Sequence, residues 1–238
     1  MSISAIDESQ RKAARVVGLS YLLALVPAIF AEFYVLGQLV VYNDAAETAR
    51  NIIAHERLFR LGTASNLTVF AIDVVLITAL YVVLKPVNRN LALLAAFWGL
   101  IETAVLVVAA LSDLEVLRIL SADYLRVFEP DRLQALARLS IGAHGAGYNV
   151  GLVFAGLRST LFCYLWFKSN YIPRAFGAWG VFASALMGAS AFVFIIFPEI
   201  AKTFTVFYYG TPIFFFELTM GFWLLLKGLR PNSPAEPV

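Results

Sequence analysis

The sequence carries very little charge for its length. Asp, Glu, Lys and Arg make up 14% of its 238 residues, whereas hydrophobic residues make up 61%, and the mean hydropathy is +0.79. A soluble domain is about half apolar and about a quarter charged, because its surface must face water. The composition therefore excludes an ordinary soluble domain and predicts an integral membrane protein.

Other residues and motifs that the sequence lacks exclude further classes of protein. The single cysteine, Cys163, lies in an apolar segment and excludes an internal disulfide. A net charge of +2 without a dense basic cluster argues against binding of nucleic acid. There is no Gly-x-Ser-x-Gly elbow and no Gly-rich phosphate loop. No small-residue cleavage site follows the first apolar run, which is therefore read as an uncleaved span.

Most of the sequence consists of long apolar segments. Crossing the hydrocarbon takes about 20 mostly apolar residues, and six segments qualify: roughly 16–40, 58–84, 91–111, 139–167, 176–197 and 204–226. No soluble domain is left over. The sequence thus predicts an all-α bundle of six transmembrane helices forming one polytopic membrane domain over residues 1–238.

The connecting loops predict the orientation. The short segments "RKAAR", "KPVNRN", "KSNYIPR" and "KGLR" are basic and free of acids, and they alternate with longer loops of mixed charge. Short loops rich in Lys and Arg stay cytoplasmic. Both termini are therefore predicted to be cytoplasmic, which agrees with an even number of spans.

Amphipathic helices are predicted in both long outer loops. Asp44 and Glu47 have capping-box spacing and should open a short helix through about His55. In the second loop, leucines recur near helical spacing on both sides of Pro130. These helices either cover the bundle at the outer surface or serve as plain connectors.

Small residues recur at four-residue steps in two spans. They are Gly147, Gly151 and Ala155 in the fourth, and Gly180, Ser184 and Gly188 in the fifth. Small residues at this spacing let two helix backbones approach closely. They predict tight packing and no chemistry.

Polar residues at membrane depth are the candidates for function. They are Glu32, Asn66, Asp73, Glu102, His144, Asn149, Arg158 and Glu217. One ionised side chain at mid-bilayer costs about 2.5–3.5 kcal/mol on insertion scales. Four carboxylates facing lipid would not be tolerated, so these groups should face each other, Arg158 or water.

Helical geometry predicts that they converge. Positions seven apart lie nearly on one face, as Asn66 and Asp73 do, and His144, Tyr148 and Arg158 share a face of the fourth span. We therefore predict a ligand-binding or proton site made of Asp73, Glu102, His144, Tyr148, Asn149, Arg158 and Glu217. Secondary candidates are Glu32, His55 and Asn66.

Burial disfavours the charged form of a carboxyl, and a nearby arginine favours it. Arg158 is predicted to pair with Asp73 or Glu217, which leaves Glu102 neutral or sharing a proton. Such a site suits a proton or a polar or cationic ligand group. The alternative is that these residues only join helices by hydrogen bonds.

Two histidines suggest a weaker hypothesis. His144 and His55, together with Glu32 and Glu56, could hold zinc or iron at the outer mouth, but they lack tight ligand spacing. A bis-histidine haem has even less support, because one of the two histidines lies in a loop. The residues therefore specify no metal site and no particular cofactor.

Several stretches carry a resemblance to a known family. "NIIAHERLFRLG", "LYVVLKPVNRNLALLAAFWGLIE", "HGAGYNVGLVFAGLRSTLFCYLWFKSNYIPRAFG" and "ELTMGFWLLLKG" are similar to a bacterial multipass membrane family, the domain-of-unknown-function 4386 family. The resemblance implies about six transmembrane helices, a place in the bacterial cell (inner) membrane, and no established activity. Motif positions implied by it are His55, Glu56, Arg60, Arg89, Asn90, His144, Gly147, Tyr148, Gly151, Pro173, Arg174, Glu217 and Trp223. The chain departs from the pattern at Arg158, where histidine is common in the family, and this disfavours a metal or haem on that helix face.

Three functions fit the sequence. The leading hypothesis is a non-enzymatic protein that binds or transports a small polar molecule or ion, with protons involved. The alternatives are an intramembrane enzyme that acts on a lipid or isoprenoid with His144 and a carboxyl as acid and base, and a structural membrane subunit. Membrane lipids and a small polar or lipid-like ligand are the expected partners, and the sequence does not specify the oligomeric state.

Overall fold

The computed structural model describes residues 6–41, 44–121, 128–202, 204 and 206–230. Within these ranges the regular elements are all helical and no strand occurs. In chain order they are α1 (Glu8–Ile29), a π-helix (Phe30–Leu36), α2 (Gly37–Leu39), α3 (Ala45–Ala54), α4 (Glu56–Leu84), α5 (Arg89–Ser121), α6 (Pro130–Ser169), α7 (Arg174–Ile196), a 3₁₀ turn (Ile200–Lys202) and α8 (Val206–Leu226).

Six of these helical units are long and apolar enough to cross a membrane. The first is the continuous run Glu8–Leu39, which joins α1, the π-helix and α2, and the others are α4, α5, α6, α7 and Phe207–Leu226 in α8. The prediction of an all-α protein with six membrane spans is therefore confirmed. Large apolar side chains cover the outside of the bundle, as expected for a surface that faces lipid.

The short helix in the first long loop forms as predicted. The Asp44 side chain accepts a hydrogen bond from the backbone N–H of Glu47 at 2.8 Å, and α3 follows directly. The Thr48 hydroxyl is held by Val41, which it contacts at both the backbone N–H (2.9 Å) and the carbonyl (3.0 Å). Ile52 of α3 is fully buried, so this helix packs onto the bundle.

The second long loop differs from its prediction. Pro130 does separate two helical pieces, but α5 extends to Ser121 and α6 begins at Pro130. The leucine repeats therefore belong to lengthened spans rather than to separate surface helices. The reason is that α5 and α6 stay in contact beyond the predicted span ends, where Leu117 and Ala137 are both buried in one core. Positions 122–127, which include Leu125 of the predicted leucine repeat, lie outside the described residues.

Small residues bring the helices together. A Cβ added at Gly147 would lie 2.8 Å from the Cβ of Ala109, and one at Gly151 would lie 2.6 Å from Cδ2 of Leu106, so this stripe of α6 packs against α5. Close packing at these positions is thus confirmed. The contact between α6 and α7 uses Gly156, which faces Gly188 of α7.

Two apolar cores lie at different heights in the bundle. The larger one surrounds Trp166 and Tyr171, both completely buried, and also holds Leu84 and Phe216. The smaller one forms where α3 packs beside the π-helix, around Ile52 and other buried residues of neighbouring elements.

Candidate functional site

A buried ion pair lies at the centre of the bundle. Nε of Arg158 lies 2.8 Å from Oε2 of Glu102, and Nη2 of Arg158 donates a hydrogen bond to Oε1 of Glu102 at 3.2 Å. The two residues are only 6% and 4% exposed. Oε2 of Glu102 and Nε of Arg158 form no hydrogen bond, so one charge-assisted hydrogen bond and the attraction between opposite charges hold the two groups together. The pair joins α5 to α6, and each of the two buried charges compensates the other.

Asp73 and Glu217 lie close to this pair. Both carboxyls interact electrostatically with Arg158, and Glu102 interacts with both of them. We call Asp73, Glu102, Arg158 and Glu217 the Arg158 cluster. It contains three carboxyls and one guanidinium.

All six spans reach this region. Tyr21 of α1 interacts electrostatically with Arg158, Asp73 and Glu217. Cys163 of α6 interacts with Glu217 and Arg158, and its Sγ lies 3.8 Å from the hydroxyl oxygen of Ser184 in α7. The predicted convergence of polar groups from separate spans is therefore present for Asp73, Glu102, Arg158 and Glu217.

The predicted pairing was wrong. Arg158 pairs with Glu102 rather than with Asp73 or Glu217. Within the described parts of the chain, the carboxyls of Asp73 and Glu217 make no hydrogen bond and no close ion pair. Both residues are partly buried. The groups left without a direct partner are thus Asp73 and Glu217, and Glu102 is the one that Arg158 binds.

A second polar group forms about His144. Its Nδ1 lies 3.0 Å from Oδ1 of Asp113, and both residues are buried. Asn66 donates a hydrogen bond to Oε1 of Glu32 at 3.1 Å. Glu32 in turn interacts electrostatically with His144 and Asp113. We call Glu32, Asn66, Asp113 and His144 the His144 cluster.

The π-helix positions Glu32 in this cluster. A π-helix makes i→i+5 rather than i→i+4 hydrogen bonds, so it rotates the side chains within it relative to those of α1. Pro27 lies shortly before it and lacks a backbone N–H, which weakens the α-helical pattern there. Single-turn π segments are frequent at functional sites in helical proteins. This local distortion was not visible in the hydropathy pattern.

A small cavity of about 10 Å³ adjoins the His144 cluster. Its polar lining comes from Thr63, Asn66 and Asp113, and its apolar lining includes Val35 and Phe59. This volume matches about one water-sized molecule. The cluster therefore combines acidic, basic and amide groups with space for a small molecule.

The structure separates the predicted site into two. Arg158 lies 14 positions after His144 in α6, which corresponds to about 21 Å along a helix. His144 interacts electrostatically with Asp113 and Glu32. The prediction placed His144 in one site with Arg158, and the structure places it in a separate cluster. Tyr148 lies between the clusters, one turn from His144. Its ring stacks on the imidazole, with centroids 6.4 Å apart and planes 14° from parallel.

Sequence reasoning missed Asp113. The predicted third span ends at Leu111, so Asp113 falls in the second outer loop and outside the predicted set of polar residues at membrane depth. A signal was nevertheless present, because Asp113 follows Glu102 by 11 positions, or about three helical turns, which brings both side chains to one face of α5. Extending the predicted helix by one turn would have made Asp113 a further candidate for the site.

The remaining candidates lie apart from both clusters. Asn149 is partly buried and makes no polar contact among the described residues. His55 is exposed at the junction of α3 and α4, where its Nδ1 lies 3.1 Å from the carbonyl oxygen of Asn51. It lines an open surface groove of about 670 Å³ with Glu56 and Arg57. In the described ranges, no group of three or more His, Cys, Asp or Glu side chains could hold a metal ion, so the suggested site of His55, His144, Glu32 and Glu56 does not form.

The architecture and the two clusters define a multipass, all-α membrane protein with charged groups enclosed between its spans. Comparison with known proteins specifies it further. The chain belongs to the family described as Domain of unknown function (DUF4386), whose model matches residues 16–228. This confirms the resemblance drawn from the sequence.

One relative is an uncharacterised protein of Archaeoglobus fulgidus. It is 26% identical over 162 residues, which cover 68% of this chain and 80% of the relative. No solved structure matches the chain.

Proposed function

We propose that the protein binds and moves a small polar or cationic molecule, or an ion, through the membrane, and that Asp73 and Glu217 bind this ligand in exchange for protons. The observation that carries the proposal is that these two partly buried carboxyls are not bound to a partner among the described residues. They lie beside a guanidinium that is already bound to Glu102, and they have no close partner among the described residues.

Charge balance explains why these carboxyls suit a reversible ligand. The pair of Arg158 and Glu102 is neutral as a unit, so ionised Asp73 and Glu217 would leave two negative charges without compensation. At membrane depth each such charge costs about 2.5–3.5 kcal/mol on insertion scales. A proton or a cationic group on each carboxyl removes this cost. Protons and a cation therefore compete for the same two groups, which is the basis of proton-coupled transport.

The alternatives have less support. A catalytic His144 needs a lipid or isoprenoid substrate within reach of its ring, but the cavity beside the His144 cluster holds only about 10 Å³ and is lined by Asp113 and not by His144. If these polar groups had a purely structural role, they would be expected to form hydrogen bonds with one another. Asp73 and Glu217 form none among the described residues. Binding and transport account for both observations.

We also propose that the protein resides in the bacterial cell membrane with both termini in the cytoplasm. The basic loops support this orientation. Lys85 and Arg89 flank the connection from α4 to α5, and Lys168 and Arg174 flank the connection from α6 to α7. With six spans these two connections lie on the same side as both chain ends.

Proton-coupled transport is tested in liposomes that enclose a pH-sensitive dye. The purified protein is reconstituted, small cationic and polar solutes are added outside, and internal pH is followed. Wild type should change the internal pH with at least one solute, whereas Asp73→Asn and Glu217→Gln should abolish the change. Glu8→Gln is the matched control, because Glu8 is an exposed carboxylate paired with Lys12 outside the apolar region. Identical traces from Glu217→Gln and wild type would overturn the proposal.

A further inference from the structure

The surface groove at the junction of α3 and α4 lies apart from both polar clusters. Residues 53–58 and Arg60 line it, and its volume is about 670 Å³. Its charged side chains are Glu56, Arg57 and Arg60. With His55 neutral, the groove therefore carries one net positive charge.

The two arginines of the groove differ in what they contact. Nε and Nη2 of Arg60 each lie 2.7 Å from Oε1 of Glu56, so Glu56 compensates the charge of Arg60. Arg57 is exposed and makes no hydrogen bond or ion pair with any residue that the structure describes. The five N–H donors of its guanidinium can therefore bind an anion.

The backbone at the start of α4 also favours an anion. His55 is the N-cap residue of α4, and its side chain makes no capping hydrogen bond. The first N–H groups of a helix have no partner within the helix and carry a partial positive charge. A phosphate in the groove would be attracted both by these N–H groups and by Arg57.

The length of α4 places the groove at the level of the lipid headgroups. The helix has 29 residues, which corresponds to about 43 Å. A bilayer with its headgroup regions is about 40–45 Å thick, so the first turn of α4 lies among the headgroups. Side chains of a helix tilt toward its N-terminus, so the guanidinium of Arg57 extends away from the hydrocarbon.

An exposed stripe runs down α4 from Arg57. It continues at steps of three and four residues, which keeps its members on one face of the helix. Leu61, the next position, is 57% exposed. The Thr68 hydroxyl donates to the carbonyl oxygen of Ala64 at 2.9 Å, so it is satisfied without water. The exposed members of this stripe are Leu61, Ala64, Thr68, Ala71 and Val75.

We propose that the groove binds the phosphate group of an anionic phospholipid and that one acyl chain of this lipid lies along the stripe. The guanidinium of Arg57 and the first N–H groups of α4 contact the phosphate. A net charge of +1 in the groove favours a lipid with a net negative charge over a zwitterionic one, whose ammonium group would be repelled. The apolar stripe favours a lipid over a soluble phosphate. This site is distinct from the Arg158 cluster and does not depend on transport.

The proposal is tested by native mass spectrometry of the full-length protein in detergent. Phosphatidylglycerol and phosphatidylcholine with the same acyl chains are titrated in parallel. Wild type should bind phosphatidylglycerol more tightly. Arg57→Gln should weaken this binding by about tenfold, because it removes charge-assisted hydrogen bonds to the phosphate. Arg50→Gln is the matched control, since Arg50 is an exposed arginine of α3 that does not line the groove. It should change the affinity by less than about twofold, as expected for a single exposed charge.

Three results would overturn the proposal. Equal losses in Arg57→Gln and Arg50→Gln would show only a general attraction between a basic protein surface and an anionic lipid. Equal affinities of wild type for the two lipids would contradict the preference for an anionic headgroup. Displacement of phosphatidylglycerol from wild type by inorganic phosphate would show that the groove takes a soluble anion rather than a lipid.

Discussion

Gly99 leaves the space that the side chain of Arg158 fills. A Cβ added at Gly99 would lie 2.6 Å from Cδ of Arg158 and 2.7 Å from Cδ1 of Ile77. Gly99 precedes Glu102 by three positions on α5, so the gap lies directly beside the carboxylate that Arg158 binds. The ion pair at the centre of the bundle therefore depends on a residue that has no side chain.

The first prediction concerns this gap. Gly99→Ala should lower stability by about 1–3 kcal/mol, because the added methyl overpacks a filled site and displaces Arg158. The measurement is the apparent melting temperature in detergent. Gly142→Ala is the control, since nothing lies within 4 Å of a Cβ there, and its helical backbone should gain stability from alanine. Equal melting temperatures for both variants would contradict this account.

The second prediction compares two glycines that face each other. A Cβ at Gly156 would lie 2.3 Å from the backbone Cα of Gly188, whereas a Cβ at Gly188 would lie 3.1 Å from the Cα of Gly156. Gly156→Ala should therefore force α6 and α7 apart and destabilise the protein more than Gly188→Ala. Resistance to unfolding in increasing SDS gives the order. A larger loss in Gly188→Ala would disprove the packing described for this crossing.

The third prediction addresses the buried ion pair. Arg158→Leu should cost about 3–5 kcal/mol, because it leaves the Glu102 carboxylate without its partner, and Glu102→Leu should cost a similar amount. The double variant should recover much of that stability, since no buried charge remains unpaired. Unfolding free energies of the four proteins check this. If the double variant loses the sum of the two single losses, the residues do not stabilise each other.

The fourth prediction concerns His144 and Asp113. A double-mutant cycle with His144→Gln and Asp113→Asn should give a coupling energy of about 0.5–3 kcal/mol, as expected for residues in direct contact. The comparison pair is Arg60 and Glu56, which are also in contact but exposed, and exposed pairs on a helix contribute about 0.3–0.5 kcal/mol. A coupling energy near zero for His144 and Asp113 would show that their 3.0 Å contact does not hold the cluster together.

The fifth prediction concerns orientation. On intact cells, a membrane-impermeant maleimide should label Glu47→Cys, because position 47 is exposed on α3. It should label Lys85→Cys only after permeabilisation. The natural Cys163 is buried and should stay unlabelled in both conditions. The reverse pattern would place both termini outside.

Local features of the chain were sufficient to predict the architecture. Span number follows from apolar length, and α3 follows from the spacing of Asp44 and Glu47, because both properties are set within one segment. The inward placement of Glu102 and Arg158 follows from the cost of exposing charge to lipid. The sequence by itself therefore determined the six spans and the residues that had to be enclosed.

The tertiary structure decided how those residues are grouped. Whether Arg158 reaches Glu102, Asp73 or Glu217 depends on the rotation and height of each helix relative to its neighbours, and contacts such as Gly156 against Gly188 set these quantities. The π-helix turns Glu32 toward Asn66, and the extension of α5 brings Asp113 to His144. The periodicity of a single segment does not predict the rotation and height of one helix relative to another. These quantities result from the packing of side chains that lie far apart in the sequence.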